Sequence, residues 1–275
     1  MNDSRRLNIS LVQFPRKLHE IEENRRYARE TLEKISGADV VCMSEVWLGA
    51  TVIDEAGEKE LLEEFGEIAA SGGFTLLTGG LFVSRAGVVH DICHIIGPDG
   101  RLAGEQFKIF PSAAIGERAF CSGGSGLTVF ECKGVSCGVI VCVDLFYPEI
   151  ARELAFAGVE VIFNPANIPD QRTETWRGLV CSRAGENTVF TAFVNNTLTQ
   201  YRDGRKVIGR SAVAGPAGDI ISSADSDPAV LECSVELWRI ADQRTRWPYL
   251  NDVRGIMNHS EPRFEINNVM IPVCS

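Results

Sequence analysis

The sequence predicts a layered α/β protein, with sheets forming the core and helices packed outside them. Three observations lead there. Short β-rich runs alternate with amphipathic helical stretches, no linker or low-complexity segment interrupts them, and 45% of the 275 residues are hydrophobic. That apolar content can bury a large core and argues against intrinsic disorder.

Leu7–Phe14 reads as a strand, and Leu18–Ile35 as a helix with Leu18, Ile21, Leu32 and Ile35 among its apolar positions. Ala38–Met43 is a buried strand and Glu55–Ala70 a second helix. Phe74–Val83, Val88–Ile96 and Arg101–Ile109 are three successive strands, the last two separated by the Pro98-Asp99-Gly100 turn. Leu127–Glu131 and Gly138–Val143 are strands, followed by a helix over Pro148–Ala157 with proline in its first turn and Gly158 at its end. Val159–Asn164 is a strand, Glu174–Glu186 a helix and Thr188–Asn195 a strand; further strands are expected around Val207–Val213, Ile220–Ser222 and Val230–Val235. After Pro248 the chain turns polar and irregular, which predicts a C-terminal tail over about 249–275 lying on the surface or on a partner subunit. With no internal repeat or linker, residues 1–275 read as a single domain.

Composition excludes several classes of function. A formal charge of −10 is wrong for a nucleic-acid groove, which needs a basic face. The apolar run Leu7–Phe14 is too short to span a membrane and lacks the surroundings of a secretory signal. The nine cysteines are scattered through apolar runs without a C-x-x-C pair, as reduced buried thiols would be. A cytoplasmic protein is therefore expected. Cys132, Cys137 and Cys142 do not have zinc spacing, and His90 and His94 beside Cys93 lack a third ligand at suitable spacing, so no metal is expected.

Cys142 ends the apolar run Gly138–Val141 just before the helix opening at Pro148-Glu149, a strand-to-helix elbow that can hold a nucleophile rigidly. Context alone fits a buried thiol equally well. A cysteine nucleophile needs a base. His19 sits in a charged helix and His259 in the tail, so a Cys–His protease is poorly supported. Glu45 directly follows the strand ending at Met43, and Lys108 is a lone ammonium among apolar residues in Gln106–Pro111. Taken singly, the first reads as an exposed loop acid and the second as a snorkelling strand lysine. Glu117 is a loop acid with no intrinsic mark.

These residues gain meaning from their flanking sequence. The segment from Gly138 to Arg152, with Cys142, Asp144, Pro148 and Glu149, resembles the nucleophile block of the nitrilase superfamily of carbon–nitrogen hydrolases. Ser44-Glu45 resembles its glutamate block, with serine where proline is common; Phe107-Lys108 resembles its lysine block, and Gly116-Glu117 has the spacing of its second glutamate. Asn164–Asn167, Trp176, Arg183–Asn187, Asn195, Gly209–Ser211 and Gly215–Gly218 extend the likeness over nearly the whole chain. The Asn164–Asn167 stretch is similar to a branch of small amidase/nitrilase proteins.

The resemblance implies a four-layer αββα sandwich, a homodimer or larger homo-oligomer built through helices near the nucleophile, and no cofactor. It also implies roles: Glu45 as general base, Cys142 as nucleophile, Lys108 and the Val143 backbone N–H as oxyanion donors, and Glu117 helping to position water. Asn167, Ile168 and Trp176 are expected in the pocket, with Trp176 equally readable as core. Asp144 is expected to fix the elbow by hydrogen bonding to backbone groups, and Glu149 to pair with Arg152 one turn on. The expected function is an amidase releasing ammonia from a small amide through a cysteine thioester. Nitrilase or N-carbamoyl amidohydrolase activity is the alternative. Acyl transfer and a non-catalytic scaffold keeping the fold are weaker rivals, since no membrane span is present and Glu45, Lys108 and Cys142 are all retained.

Overall fold

Residue alternation along the first strands sends side chains to two different cores. In the computed structural model, which describes residues 4–256 and 264–272, β1 (Arg6–Gln13) turns Leu7, Ile9 and Leu11 to one core and Val12 to the other. After α1 (Ile21–Leu32), β2 (Val40–Met43) divides likewise: Val40 and Cys42 face the first core, Val41 and Met43 the second. A strand apolar on both faces requires a packed layer on each side.

The short β3 (Val52–Asp54) leads into α2 (Glu55–Gly72), which starts where the Asp54 carboxylate accepts the Gly57 N–H at 2.9 Å. Leu61, Phe65 and Ala69 of α2, with Ala28 and Leu32 of α1, cover the second core. The chain continues through β4 (Thr75–Arg85), β5 (Val88–Ile96), β6 (Leu102–Phe107), β7 (Cys121–Ser122), β8 (Gly126–Cys132) and β9 (Val135–Val139). Then come α3 (Pro148–Phe156), β10 (Val161–Ala166), α4 (Thr173–Asn187) and β11 (Phe190–Asn195). A small hairpin of β12 (Thr199–Gln200) and β13 (Lys206–Val207) precedes β14 (Ala212–Ala214), β15 (Ile220–Ser223) and β16 (Ala229–Glu236). Helices α5 (Trp238–Arg246) and α6 (Tyr249–Ile256) and strand β17 (Glu265–Val269) end the described chain.

Eight strands make the first sheet, in the order β16-β1-β2-β4-β5-β6 with β3 on β4 and β7 on β5. Seven make the second, in the order β15-β14-β11-β10-β9-β8-β17. Leu7, Ile9, Leu11 and Val40 of the first sheet meet Phe130, Val139, Phe163 and Phe193 of the second in one continuous core, which α3 and α4 extend on the far side with Ile150, Leu154, Val180 and Ala184. The result is the four-layer αββα sandwich.

Strands β1, β2 and β4 run parallel to one another, as do β9, β10 and β11. Their C-terminal ends meet: the Glu45 N–H donates to Ala166 O at 3.3 Å, and the Thr197 N–H to Phe14 O at 2.7 Å. Loops leaving parallel strands at this end are where α/β proteins assemble sites.

Several sequence expectations change. The predicted strand Gly138–Val143 ends at Val139, and Cys142 instead opens a 3₁₀ turn over Cys142–Phe146 with its own φ at 46°. The predicted strand Val207–Val213 splits in two, because Gly209 and Arg210 both take positive φ between β13 and β14. Arg152 donates to Glu186 O at 2.9 Å rather than pairing with Glu149, since it faces the C-terminal end of α4 with its unsatisfied carbonyls. The tail is more regular than its composition suggests: residues 249–256 are helical, and β17 pairs in parallel with β8, covering a sheet edge of its own chain. The rest of the predicted tail, 257–263 and 273–275, lies outside the described residues. No described helix is long and apolar enough to cross a membrane.

Candidate active site

Lys108 leaves β6 and is buried at 1% exposure among three carboxylates. Its Nζ donates to Glu45 Oε1 at 2.7 Å, Glu117 Oε2 at 2.8 Å and Asp91 Oδ2 at 3.2 Å. Burial pushes its pKa down, but Glu45, Asp91 and Glu117 more than offset that and hold the ammonium well above its ordinary value. Glu45, Asp91 and Glu117 lie close enough together to hold a cation, and the Lys108 ammonium already fills that role.

Each acid has its own support. Glu45 stands on the turn after β2, where the side-chain amide of Asn196 donates to its backbone O at 2.6 Å and to Asn167 Oδ1 at 3.0 Å. Ser44, which replaces the proline expected there, donates its hydroxyl to Asn196 Oδ1 at 2.7 Å and so helps orient that amide. Two glycines of β4 let the Glu45 turn approach: a Cβ on Gly79 would fall 2.0 Å from Ser44 O, and one on Gly80 2.4 Å from Asp91 Oδ1 and 3.0 Å from Glu45 Cγ. Glu117 opens a short 3₁₀ turn and accepts the Ser112 N–H at 2.6 Å.

Cys142 lies across from them at the C-terminal end of β9. The Asn164 side chain holds its turn in place, donating to Ile140 O at 2.7 Å and Cys142 O at 3.3 Å, and Trp176 Nε1 donates to Asn164 Oδ1 at 3.0 Å. Arg183 clamps the next residues through Leu145 O at 3.0 Å and Phe146 O at 3.2 Å. The Asp144 carboxylate accepts the N–H groups of Ile109 and Phe110 at 2.7 and 2.9 Å, tying the Cys142 turn to the residues after Lys108. These restraints hold Cys142 in a left-handed backbone conformation that a non-glycine residue adopts at a cost of about 1–3 kcal/mol. Burial pushes the thiol pKa well up and the nearby Glu45 charge adds to it; Lys108 and the Asn167 N–H oppose them without prevailing. A protonated thiol beside a carboxylate follows.

A cavity of about 530 Å³ opens beside this cluster, lined by Arg16, Glu45, Glu117, Asn167 and Tyr201, with Phe82 and Phe120 on its apolar side. Cys142, 6% exposed, is not among the residues lining this cavity, but its thiol is within the electrostatic reach of Glu45, Lys108 and Glu117 and of the Asn167 N–H. Val143 is half-buried at the start of the 3₁₀ turn, where the first N–H groups of a helix lack partners within it. Thus Glu45, Lys108, Glu117 and Cys142 converge, with Asn167 at their edge. Ile168 and Trp176 do not line the cavity: Ile168 is core and its N–H donates to Asn195 Oδ1 at 3.0 Å, while Trp176 packs against Phe146 and Phe193 and orients Asn164.

Sequence reasoning missed Asp91, Arg16, Asn196 and Tyr201. Asp91 had a signal, because it shares the inward parity of Cys93 and Ile95 on β5, and an acid there cannot be solvated. Burial pushes its pKa up to about 7, with Lys108 pulling it down and Glu45 pushing it up. Its Oδ1 has no partner, and it lies beside the Glu45 carboxylate; a proton on Asp91 would supply the missing hydrogen bond. The folded pKa exceeds the unfolded value of about 4, so folding takes up a proton, and the associated stability falls as pH rises toward and through 7. Asp91→Asn should therefore gain melting temperature relative to the native chain as pH is raised from 6 to 8 in calorimetry. Parallel curves would mean that Asp91 is ionised throughout.

The sequence matches the family described as carbon–nitrogen hydrolase over residues 8–245. It is 28% identical over 255 residues to 2-oxoglutaramate amidase of Bacillus subtilis, covering 90% of this chain and 97% of that one. It is 27% identical over 264 residues to omega-amidase NIT2-A of Xenopus laevis, covering 88% and 93%. Among solved structures, a CN-hydrolase superfamily protein of Xanthomonas campestris with an arsenic adduct in its active site superimposes with a TM-score of 0.83 at 24% identity, covering 90% of this chain and 97% of that one.

Proposed function

The chain belongs to the carbon–nitrogen hydrolase family, and on that footing we propose that it is an amidase working through a thioester on Cys142. The carrying observation is the buried group of Glu45, Lys108, Glu117 and Cys142 beside one cavity. The relatives named 2-oxoglutaramate amidase and omega-amidase support an amide as substrate.

The protonated thiol defines the first step. As Sγ attacks the amide carbon, Glu45 takes the thiol proton and the carbonyl π pair moves onto oxygen. All three Lys108 donors are engaged at rest, one of them to Glu45. Once Glu45 is neutral it holds the ammonium less strongly, freeing an N–H for the oxyanion, and the Val143 N–H supplies the second donor. The C–N bond then breaks as Glu45 protonates the nitrogen, releasing ammonia and leaving an acyl thioester. Water attacks next, giving a proton to Glu45 with Glu117 positioning it; the C–S bond breaks, the thiol regains its proton and the carboxylic acid leaves.

Exposed aromatic groups support a homodimer: Phe146, in the same 3₁₀ turn as Cys142, and the stacked Trp247 and Tyr249 are open to solvent. The single-domain reading, with every part of the site drawn from one chain, belongs to the same proposal.

Ammonia release should be assayed against parallel panels of small amides, nitriles and N-carbamoyl compounds. The amides are expected to give the highest kcat/KM. A clear preference for nitriles or carbamoyl compounds would replace this reading with its alternative.

A further inference from the structure

Tyr201 stands in the turn between β12 and β13, a two-stranded sheet of its own outside the two large ones. The turn is closed locally: the Tyr201 N–H donates to Arg205 O at 2.9 Å, and the Arg205 guanidinium lies 4.8 Å from the centre of the Tyr201 ring. From there the phenol reaches back along the cavity wall, and its hydroxyl donates to Asn167 O. Burial pushes its pKa further up, and the nearby Cys142 and Glu45 charges add to that. The group therefore keeps its proton and serves as a donor.

Asn167 connects the Glu45 turn to Cys142. The peptide between Ala166 and Asn167 accepts the Glu45 N–H on its oxygen at 3.3 Å and turns its own N–H to the Cys142 sulfur. The Asn167 side-chain oxygen accepts from Asn196 Nδ2 at 3.0 Å, and the same amide holds Glu45 O. The next peptide is pinned at both ends, by the Tyr201 hydroxyl on Asn167 O and by Asn195 Oδ1 on the Ile168 N–H at 3.0 Å. Asn195 and Asn196 belong to the end of β11, in the second sheet, whereas Tyr201 comes from the hairpin.

We infer that Tyr201 is a positioning residue, holding the Asn167 peptide so that its N–H meets the Cys142 sulfur as the thiolate forms. A donor aimed at sulfur favours its charged form and so eases the transfer of the thiol proton to Glu45. Lys108 and the Val143 N–H act on the substrate oxygen, so this contribution is separate from theirs. Its effect on turnover rests on the amidase reading, while the hold on the thiol does not.

Tyr201→Phe keeps the ring beside Arg205 and removes only the hydroxyl. Alkylation by iodoacetamide, followed peptide by peptide by mass spectrometry, reads the thiol directly. Near neutral pH, Cys142 of the variant should react about 10-fold more slowly than in the native chain, as for the loss of one hydrogen bond to a charged group. Its alkylation profile should also move to higher pH, because the thiolate has lost a donor. Cys181 on α4, which does not line the cavity, should react at its native rate. A merely loosened fold would instead speed both thiols. With an amide substrate kcat should fall by about 10-fold and KM change by less than about 2-fold. Cys142 alkylation as fast as native or faster would overturn the inference, as would a defect confined to KM. The two readings fail separately. Slowed alkylation in a protein that hydrolyses no amide keeps the Tyr201 role and ends the amidase reading; native turnover and native alkylation in Tyr201→Phe do the reverse.

Discussion

Cys142→Ala is expected to reduce ammonia release from any amide substrate by at least about 10⁴-fold, because loss of a nucleophile removes the covalent route entirely. The fold should survive. Asn164, Arg183 and Asp144 fix the turn through backbone groups and need nothing from the sulfur. Thermal unfolding should therefore shift by only about 1 kcal/mol, the middle of the range for single substitutions. Native-like circular dichroism with no turnover supports the assignment, whereas retained ammonia release would end it.

Lys108→Ala should be less damaging to catalysis than Cys142→Ala, and far more damaging to stability. Loss of an oxyanion donor lowers kcat by about 10²–10³-fold, with a much smaller change in KM. A defect confined to KM would contradict the oxyanion role. The same substitution leaves Glu45, Asp91 and Glu117 buried without their shared cation. Breaking a buried ion pair by removing one partner costs about 3–5 kcal/mol. The sign of its pH dependence follows from linkage: acids left in a buried site without a cation are stabilised by protonation, so the variant's deficit should shrink as pH falls and widen as it rises. Urea midpoints of native and variant protein between pH 5 and 8 measure this, and a deficit independent of pH would show that the carboxylates do not titrate as a group.

Much of the fold was legible because strand parity and helix periodicity are written in single residues. The two-sided burial of Val40 to Met43, and the apolar positions of α2, follow directly from the sequence. The Cys142 turn was harder. Nothing in Val139–Val143 announces that the strand stops early; it does so within a turn restrained by side chains from β10 and α4. The tail misled because β17 is polar, and an edge strand needs only one partner and little buried surface. Within the site, Glu45, Lys108, Glu117 and Cys142 were found through flanking motifs, not by their own chemistry. Arg16 and Asn196 carry no such mark, and only the meeting of the two sheets' C-terminal ends brings them to Glu45. Trp176 was readable as pocket or as core; it belongs to the core, where its indole orients Asn164.

The central claim is that the acyl group passes through the Cys142 sulfur. It is tested most directly by acid-quenching the native protein during steady turnover of an amide and mapping the peptides by mass spectrometry. An acyl mass on the peptide carrying Cys142, absent from every other cysteine and lost on alkaline treatment, is the predicted result. Turnover with that peptide unmodified, or with the acyl group on another residue, would contradict the account.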